Sequence, residues 1–357
     1  MTTSVPVDVR DRESEDTGDT GPRDVGETLL EVDDLAVEFR GDDGVVRAVD
    51  GLGYRVVAGR TLALVGESGC GKSVSSLAVM GLLPPAARVT RGSARFRGTD
   101  LLALPPARHR EHCGRHVAMV FQDALAALNP VHTVGYQLTE ALRARTGASR
   151  RDARRRAVEL LDLVKVPHAA QRVHEYPHQF SGGMRQRVMI ASALALDPDV
   201  LIADEPTTAL DVTVQAQVMQ LLAEIQAERN MGLVLITHDL GVVAGVADDV
   251  TVMYAGRAVE QAPVRELYEA PAHPYTRALL RSVPRLAGGG TDADGRLPVV
   301  PGRPPAPGRV PSGCAFHPRC DLARDVCRTD VPPLAEAAPG RSSACHFSAE
   351  VLGGARG

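Results

Sequence analysis

The stretch that most constrains the fold is residues 66–73, GESGCGKS, because it joins an apolar strand pattern to a helical pattern. Residues 62–65 are short and apolar, as in a buried parallel strand. We predict a helix over residues 74–83 that ends before the proline pair at Pro84. A strand, a glycine loop and a helix in this order are typical of a phosphate-binding loop, whose backbone N–H groups and helix N-terminus attract a polyphosphate.

The most specific prediction for this loop concerns its lysine and the serine that follows it. Lys72 is expected to reach the β- and γ-phosphates of a nucleotide, and Ser73 is expected to place its hydroxyl on Mg²⁺. A chance glycine turn is disfavoured, because every fixed position of the motif is filled and both flanks are correct. We therefore assign nucleotide binding to Gly66, Ser68, Gly69, Gly71, Lys72 and Ser73.

Composition and charge disfavour several classes of protein. A net charge of −4 argues against a nucleic-acid binder, which normally presents a basic face. No apolar run approaches the ~18 residues of a membrane-spanning helix. The N-terminus also lacks the apolar core of a signal peptide. We expect a cytoplasmic chain whose membrane association, if any, goes through a partner.

Polar residues end three further apolar strand patterns, where an open α/β sheet places its ligand contacts. These residues are Gln122, the pair Asp204 and Glu205, and His238. Asp204 is placed to hold Mg²⁺ directly or through water. Glu205 is placed to orient or deprotonate a water molecule. We predict a functional role for His238 only because the other polar residues also follow strands, since a lone histidine is usually structural.

A second glycine turn lies at Ser181, Gly182 and Gly183, and we predict that it leads into a helix over residues 188–196. Such a turn before a helix can bind an anion with its backbone amides. The preceding residues 135–176 have the apolar spacing of helices. One chain thus carries two separate phosphate-binding turns.

In order and spacing, these motifs resemble the ATP-binding subunit of an ABC transporter over residues 28–265. Residues 66–73 resemble its Walker A motif. Asp204 and Glu205 resemble Walker B and its catalytic glutamate. The signature turn here opens with Phe180 and closes with Met184, where many members have Leu and Gln. The resemblance assigns the Q-loop to Gln122, the signature to Ser181, Gly182 and Gly183, the D-loop to Asp211, the switch histidine to His238, and the adenine-stacking aromatic to Phe39.

The resemblance also implies the Mg²⁺ ligands and the organisation of the chain. The Mg²⁺ ligands would be Ser73, Gln122 and Asp204. The fold class would be α/β, a P-loop ATPase domain at residues 28–265 with a helical subdomain at about residues 123–190. Residues 1–27 are acid-rich and are predicted to form a disordered tail. Residues 266–357 are rich in proline and glycine and are predicted to form a loop-rich extension with little regular structure.

Several local sequences narrow the resemblance to the oligopeptide/dipeptide importer subfamily. They are residues 180–188, residues 121–123 with 128–130, residues 273–276, and a cysteine-rich C-terminal extension. In some members of that subfamily the extension resembles a [4Fe–4S] site. The cysteines here are Cys314, Cys320, Cys327 and Cys345.

The cysteine spacings are C-x5-C, C-x6-C and C-x17-C, which match neither the zinc pattern nor the ferredoxin runs. In a reducing cytosol such a cluster indicates a metal site before it indicates disulfides. Spacing alone therefore leaves the metal open. We expect a [4Fe–4S] cluster, with Zn²⁺ as the alternative and a metal-free group as the third.

The resemblance implies how the chain would act and with what. Two ATP molecules would lie at the interface of a head-to-tail dimer, each between the Walker A motif of one subunit and the signature turn of the other. The expected partners are a related but different ATPase chain, two membrane permease chains and an external substrate-binding protein. Closing and opening of the dimer would drive import at the cytoplasmic face of the membrane.

Two other functions stay open at this point. One is an ATPase of a nickel or other small-solute importer, because the ATPase motifs do not touch the cargo. The other is a soluble ABC ATPase outside transport. Such proteins usually carry two ATPase domains or a long coiled coil, whereas this sequence has one Walker A motif and no sustained heptad pattern.

Overall fold

The computed structural model describes residues 26–41, 44–208, 210–283 and 299–354. Almost all of the predicted tail over residues 1–27 lies outside these ranges, as does Ala209 of the predicted D-loop. The strands of the described residues are β1 (Thr28–Gly41), β2 (Gly44–Val57), β3 (Thr61–Val65), β4 (Ala87–Phe96), β5 (Thr99–Asp100), β6 (Val117–Val120), β7 (Val200–Asp204), β8 (Gly232–Thr237), β9 (Asp249–Tyr254), β10 (Arg257–Pro263), β11 (Ala335–Ala338) and β12 (Arg341–Ser343).

These strands form two sheets. The smaller sheet is antiparallel, in the order β2-β1-β4-β5. The larger sheet has the order β11-β12-β10-β9-β3-β8-β7-β6, and it is parallel from β9 to β6. Strands β3, β7 and β8 are buried at every residue. Burial on both faces explains why their sequences are continuously apolar and do not alternate.

The helices are α1 (Lys72–Val79), α2 (Pro106–Arg115), α3 (Ala124–Ala127), α4 (Val134–Thr146), α5 (Arg150–Leu163), α6 (Ala169–Arg172), α7 (Gly182–Ala193), α8 (Val212–Arg229), α9 (Leu240–Val246), α10 (Val264–Glu269), α11 (Pro274–Arg281), α12 (Asp325–Thr329) and α13 (Ser348–Gly353). Short 3₁₀ turns cover Leu101–Ala103, Pro177–Gln179 and His317–Arg319. Within the described ranges, no helix has both the length and the apolar character to cross a membrane.

Three apolar clusters hold these layers together. One joins helices α4, α5, α7 and α8 through the fully buried Leu138, Leu161, Ile190 and Leu222. A second lies between the antiparallel sheet and the large sheet. The third contains Tyr254 of β9 together with residues of the C-terminal part of the chain, and so includes side chains from both sides of the predicted boundary at residue 265.

Two predicted helix boundaries are wrong. The helix predicted over residues 74–83 is α1, which begins at Lys72 and ends at Val79. It ends early because Gly81 has a positive φ of 66° and its N–H, with that of Leu82, bonds back to the last turn. The helix predicted over residues 188–196 is α7, which begins six residues earlier, at Gly182. The signature glycines are therefore its first turn.

The expectation of little regular structure after residue 265 is also wrong in part. Helix α10 continues directly from β10 and is followed by α11, and β12 extends the large sheet by pairing Ser343 with Glu260. Glu260 is fully buried and accepts hydrogen bonds from the N–H groups of Ala272 and His273, at 2.7 and 3.0 Å. These bonds connect the end of the ATPase sheet to the start of α11.

Candidate active site

The glycine loop at residues 66–73 follows β3 and wraps the amine of Lys72. Lys72 is buried, and its Nζ donates to the carbonyl oxygens of Gly66 at 2.7 Å and Glu67 at 3.1 Å. Gly66 and Gly71 have positive φ, and a Cβ on either would lie within 2.5 Å of a backbone oxygen, at 2.3 and 2.4 Å. Glycine is required at both positions, because another side chain would force the loop away from its neighbours.

The carboxyl ends of β3, β6, β7 and β8 bring the predicted polar residues together, since neighbouring parallel strands end at the same edge of the sheet. Ser73 donates its hydroxyl to Oδ1 of Asp204 at 2.9 Å. Gln122 donates to Oε2 of Glu205 at 3.0 Å, and Nδ1 of His238 lies 3.2 Å from Oε1 of the same carboxylate.

The environment of the two carboxylates differs. Asp204 is 6% exposed, and burial raises the pKa of its carboxyl above the ordinary value, while the hydrogen bond from Ser73 opposes that shift. Glu205 has a positive φ of 44°, and Thr208 donates a further hydrogen bond to its Oε2 at 2.9 Å. The Glu205 carboxylate is thus fixed by three neighbouring side chains at the end of β7.

Glu205 lines a cavity of about 520 Å³ beside the glycine loop. The volume lies within the ~300–1,000 Å³ of small-molecule sites. Its wall includes Lys72, Ser73, Gln122, Glu205 and His238. The cavity therefore combines the Lys72 amine, amide and hydroxyl donors and the Glu205 carboxylate, which suits a polyphosphate whose terminal group is attacked by water.

The predicted signature and D-loop residues are not among the described residues that line this cavity. Ser181 is the N-cap of α7 and accepts from the N–H of Met184, and Asp211 caps α8 by accepting from Val214. Gly183 packs against Val214, which a Cβ would approach to 2.6 Å.

Phe39 also does not line the cavity among the described residues. It lies on β1 opposite Val46 and packs, partly buried, against the core between the two sheets. The adenine-stacking role of Phe39 stays a prediction.

Several residues around the loop were not found by sequence reasoning. Thr208 could have been suggested by its position three residues after Glu205, but this indication is weak. Leu279 of α11 lines the cavity, and two further residues of the C-terminal part contact Glu67. The Tyr275 hydroxyl accepts from the Glu67 N–H at 2.9 Å, and Arg319 pairs with the Glu67 carboxylate. No sequence signal linked these distant residues to the loop.

The predicted metal ligands Cys314, Cys320, Cys327 and Cys345 line one small cavity together with Phe316. Burial raises the pKa of the Cys345 thiol to about 11, and the N–H of Phe347 donates to its Sγ at 3.4 Å. Among the residues that the structure describes, no group of three or more His, Cys, Asp or Glu side chains is placed to hold a metal ion.

Comparison with known proteins gives two matching family models. The model described as ABC transporter matches residues 49–208, and the model described as Oligopeptide/dipeptide transporter, C-terminal region, matches residues 259–327. The second model covers the cavity residue Leu279 as well as Tyr275 and Arg319, which contact the glycine loop.

Curated relatives match almost the whole chain. The dipeptide transport ATP-binding protein DppD of Escherichia coli (strain K12) is 48% identical over 325 residues, which are 91% of this chain and 98% of that protein. The oligopeptide transport ATP-binding protein OppD of Salmonella typhimurium (strain LT2) is 49% identical over 324 residues, 91% of this chain and 95% of that protein.

A solved dimeric ATP-binding cassette in a post-hydrolysis state, bound to ADP and Pi, is similar to this chain with a TM-score of 0.60 and 25% identity. The match covers 66% of this chain and 99% of that cassette. The predicted P-loop ATPase fold and the predicted ATP hydrolase are thereby confirmed. Because relatives close to half identical span nine-tenths of its length, the chain belongs to the ABC transporter family, as an ATP-binding subunit that carries the oligopeptide/dipeptide transporter C-terminal region.

Proposed function

We propose that this chain hydrolyses ATP to power the import of oligopeptides or dipeptides. The observation that carries the proposal is the match to dipeptide and oligopeptide transport ATP-binding proteins over nine-tenths of the chain, C-terminal region included. A complete phosphate-binding cavity in this chain supports it, because Lys72 and Glu205 are both in place.

Different residues of the chain have separate proposed roles in binding ATP and Mg²⁺. The loop amides and Lys72 hold the β- and γ-phosphates. The Ser73 hydroxyl and the Asp204 carboxylate, 2.9 Å apart, are the hard oxygen donors that Mg²⁺ prefers, and Gln122 is the third proposed ligand. When bound, Mg²⁺ would neutralise charge on the phosphates.

Glu205 is the proposed catalytic carboxylate. Gln122, Thr208 and His238 hold its two oxygens, so the carboxylate faces the cavity in one orientation. From there it orients or deprotonates the attacking water. His238 is proposed to contact the γ-phosphate.

The separation of the signature turn from the cavity supports a dimer. Ser181 caps the N-terminus of α7 and Gly182 and Gly183 form its first turn, a helix start that can attract an anion, yet none of the three lines the cavity described above. We infer that they complete the ATP site of a second, related ATPase subunit. The further proposed partners are two membrane permeases and an external substrate-binding protein, which places the chain at the cytoplasmic face of the membrane.

Uptake by whole cells tests the cargo. In cells that lack this chain, labelled di- and oligopeptide uptake is expected to return with the wild-type chain, because the ATPase powers that import. Lys72→Ala is expected not to restore it, since the cavity then lacks its cation. Return of nickel uptake without peptide uptake would favour the nickel importer instead. If neither returns, the transport proposal is wrong.

We also propose that the four C-terminal cysteines hold a [4Fe–4S] cluster. Their shared small cavity supports this, as does the backbone N–H of Phe347, which donates to the sulfur of Cys345 at 3.4 Å. Four cysteine thiolates are the ligand set of a [4Fe–4S] cluster. The role proposed is structural, since bound metal contributes folding free energy.

Anaerobic purification tests the cluster. The protein is expected to be brown, to absorb near ~400 nm and to hold about four irons, the number that four cysteine ligands retain. Cys320→Ser should lose the colour, whereas Cys113→Ser, a buried cysteine in another part of the fold, should keep it. A colourless preparation with one zinc would overturn the cluster in favour of zinc, and four free thiols without metal would exclude the site.

A further inference from the structure

Arg319 joins the C-terminal part of the chain to the phosphate-binding loop. It lies at the end of the 3₁₀ turn His317–Arg319, and its side chain is only 4% exposed. Its Nη1 and Nη2 donate to the two carboxylate oxygens of Glu67, at 2.6 and 2.9 Å. This two-point geometry is the strongest form of an arginine–carboxylate pair.

Other contacts fix the guanidinium in place. Its Nε donates to the carbonyl oxygen of Pro301 at 2.7 Å, and its Cζ lies 5.7 Å from the ring centre of Tyr254 and 5.8 Å from that of Phe316. The hydroxyl of Tyr275 accepts a hydrogen bond from the Glu67 N–H at 2.9 Å. The C-terminal part therefore forms hydrogen bonds with both the backbone and the side chain of Glu67.

Glu67 is the only acidic residue of the loop at residues 66–73. Glu67 lines the cavity, and its carbonyl oxygen accepts from Lys72. A free carboxylate at this position would repel the polyphosphate that Lys72 attracts, and it would repel strongly in a partly buried site. Arg319 removes that charge without occupying the phosphate position.

We propose that Arg319 is a positioning residue for ATP, which acts through Glu67 by neutralising its carboxylate and by fixing the loop around Lys72. The C-terminal region thus sets how tightly the chain binds nucleotide. The inference rests on the proposed binding of ATP at this loop. It gives the C-terminal segment that carries Arg319 a role in that binding, although this segment lies outside all the nucleotide motifs.

Nucleotide binding by the purified full-length chain tests this role. The dissociation constant of a non-hydrolysable ATP analogue with Mg²⁺ is measured by calorimetry. Arg319→Met keeps much of the packing volume and removes the charge, and it is expected to weaken binding about tenfold through the unpaired Glu67 carboxylate. The double variant Glu67→Gln with Arg319→Met is expected to recover most of the affinity, because no free carboxylate remains.

Two comparisons separate positioning from a purely structural role. Arg277→Ala breaks another arginine–carboxylate pair of the C-terminal part, in which one Arg277 nitrogen donates to both oxygens of Asp321, and it should change binding less than twofold. The loss in Arg319→Met should also shrink at high salt, since screening weakens repulsion. Thermal unfolding of each variant confirms that the chain is folded.

Two results would overturn the inference. One is an unchanged dissociation constant for a folded Arg319→Met chain. The other is a double variant as weak as the single variant, because the defect would then not run through the Glu67 charge. A wild-type chain that binds no nucleotide would instead count against the proposed function.

Discussion

Replacing Lys72 with alanine is expected to lower ATP turnover of the assembled complex at least about 100-fold, the scale seen when one preorganised charge donor is lost. Lys72 is the only lysine or arginine among the described residues that line the cavity, so no neighbour can supply its charge. Its amine is already held toward the loop by the carbonyl oxygens of Gly66 and Glu67. The measurement is phosphate release at saturating ATP.

A matched lysine makes the Lys72 result specific. Lys165 pairs with Glu224 on the surface, and Lys165→Ala should leave phosphate release unchanged, because exposed pairs contribute little. Wild-type turnover by Lys72→Ala would show that the cavity beside the loop is not the ATP site.

Glu205→Gln is expected to bind ATP but to hydrolyse it at least about 100-fold more slowly, the scale of losing a general base. The amide keeps the size of the side chain and can still contact Gln122 and Thr208, so the cavity keeps its shape. What is lost is the charge that orients or deprotonates water. With Mg-ATP and the partner ATPase, size-exclusion chromatography should then show a persistent closed dimer.

The control for Glu205 is a carboxylate outside the cavity. Glu224→Gln, on the surface of α8, should hydrolyse ATP at the wild-type rate and should not accumulate a closed dimer. If Glu205→Gln turns over normally, another group is the catalytic carboxylate. If it is inactive yet never dimerises, the proposal of a site shared between two subunits is wrong.

The residues that meet at the cavity could be predicted because each follows a short apolar strand. Parallel strands that neighbour one another end at the same edge, so Lys72, Asp204 and His238 had to lie close once their strands were recognised. The glycines of the phosphate-binding loop could also be recognised from a few consecutive residues. Both signals depend on a few consecutive residues, which a sequence displays directly.

Boundaries and strand pairings could not be predicted in the same way. Helix α1 ends where Gly81 adopts positive φ, and a sequence with prolines three residues later suggested the later end. The partly buried packing of Phe39 against the core between the two sheets also depends on strand pairing, and its adenine-stacking role stays a prediction. Alternative ends of a helix differ by a small free energy, so tertiary packing determines which end forms.

The sequence by itself determined the ATPase fold, the order of its motifs and the two separate phosphate-binding turns, because these follow from local patterns. Only the tertiary structure decided that the C-terminal part shares the large sheet and reaches the active site. Arg319 and Glu67 are 252 residues apart, and their contact exists because β12 pairs with β10 and α11 packs beside the loop. A contact at such separation leaves no local pattern, since its partners are chosen by the folded packing of the whole chain.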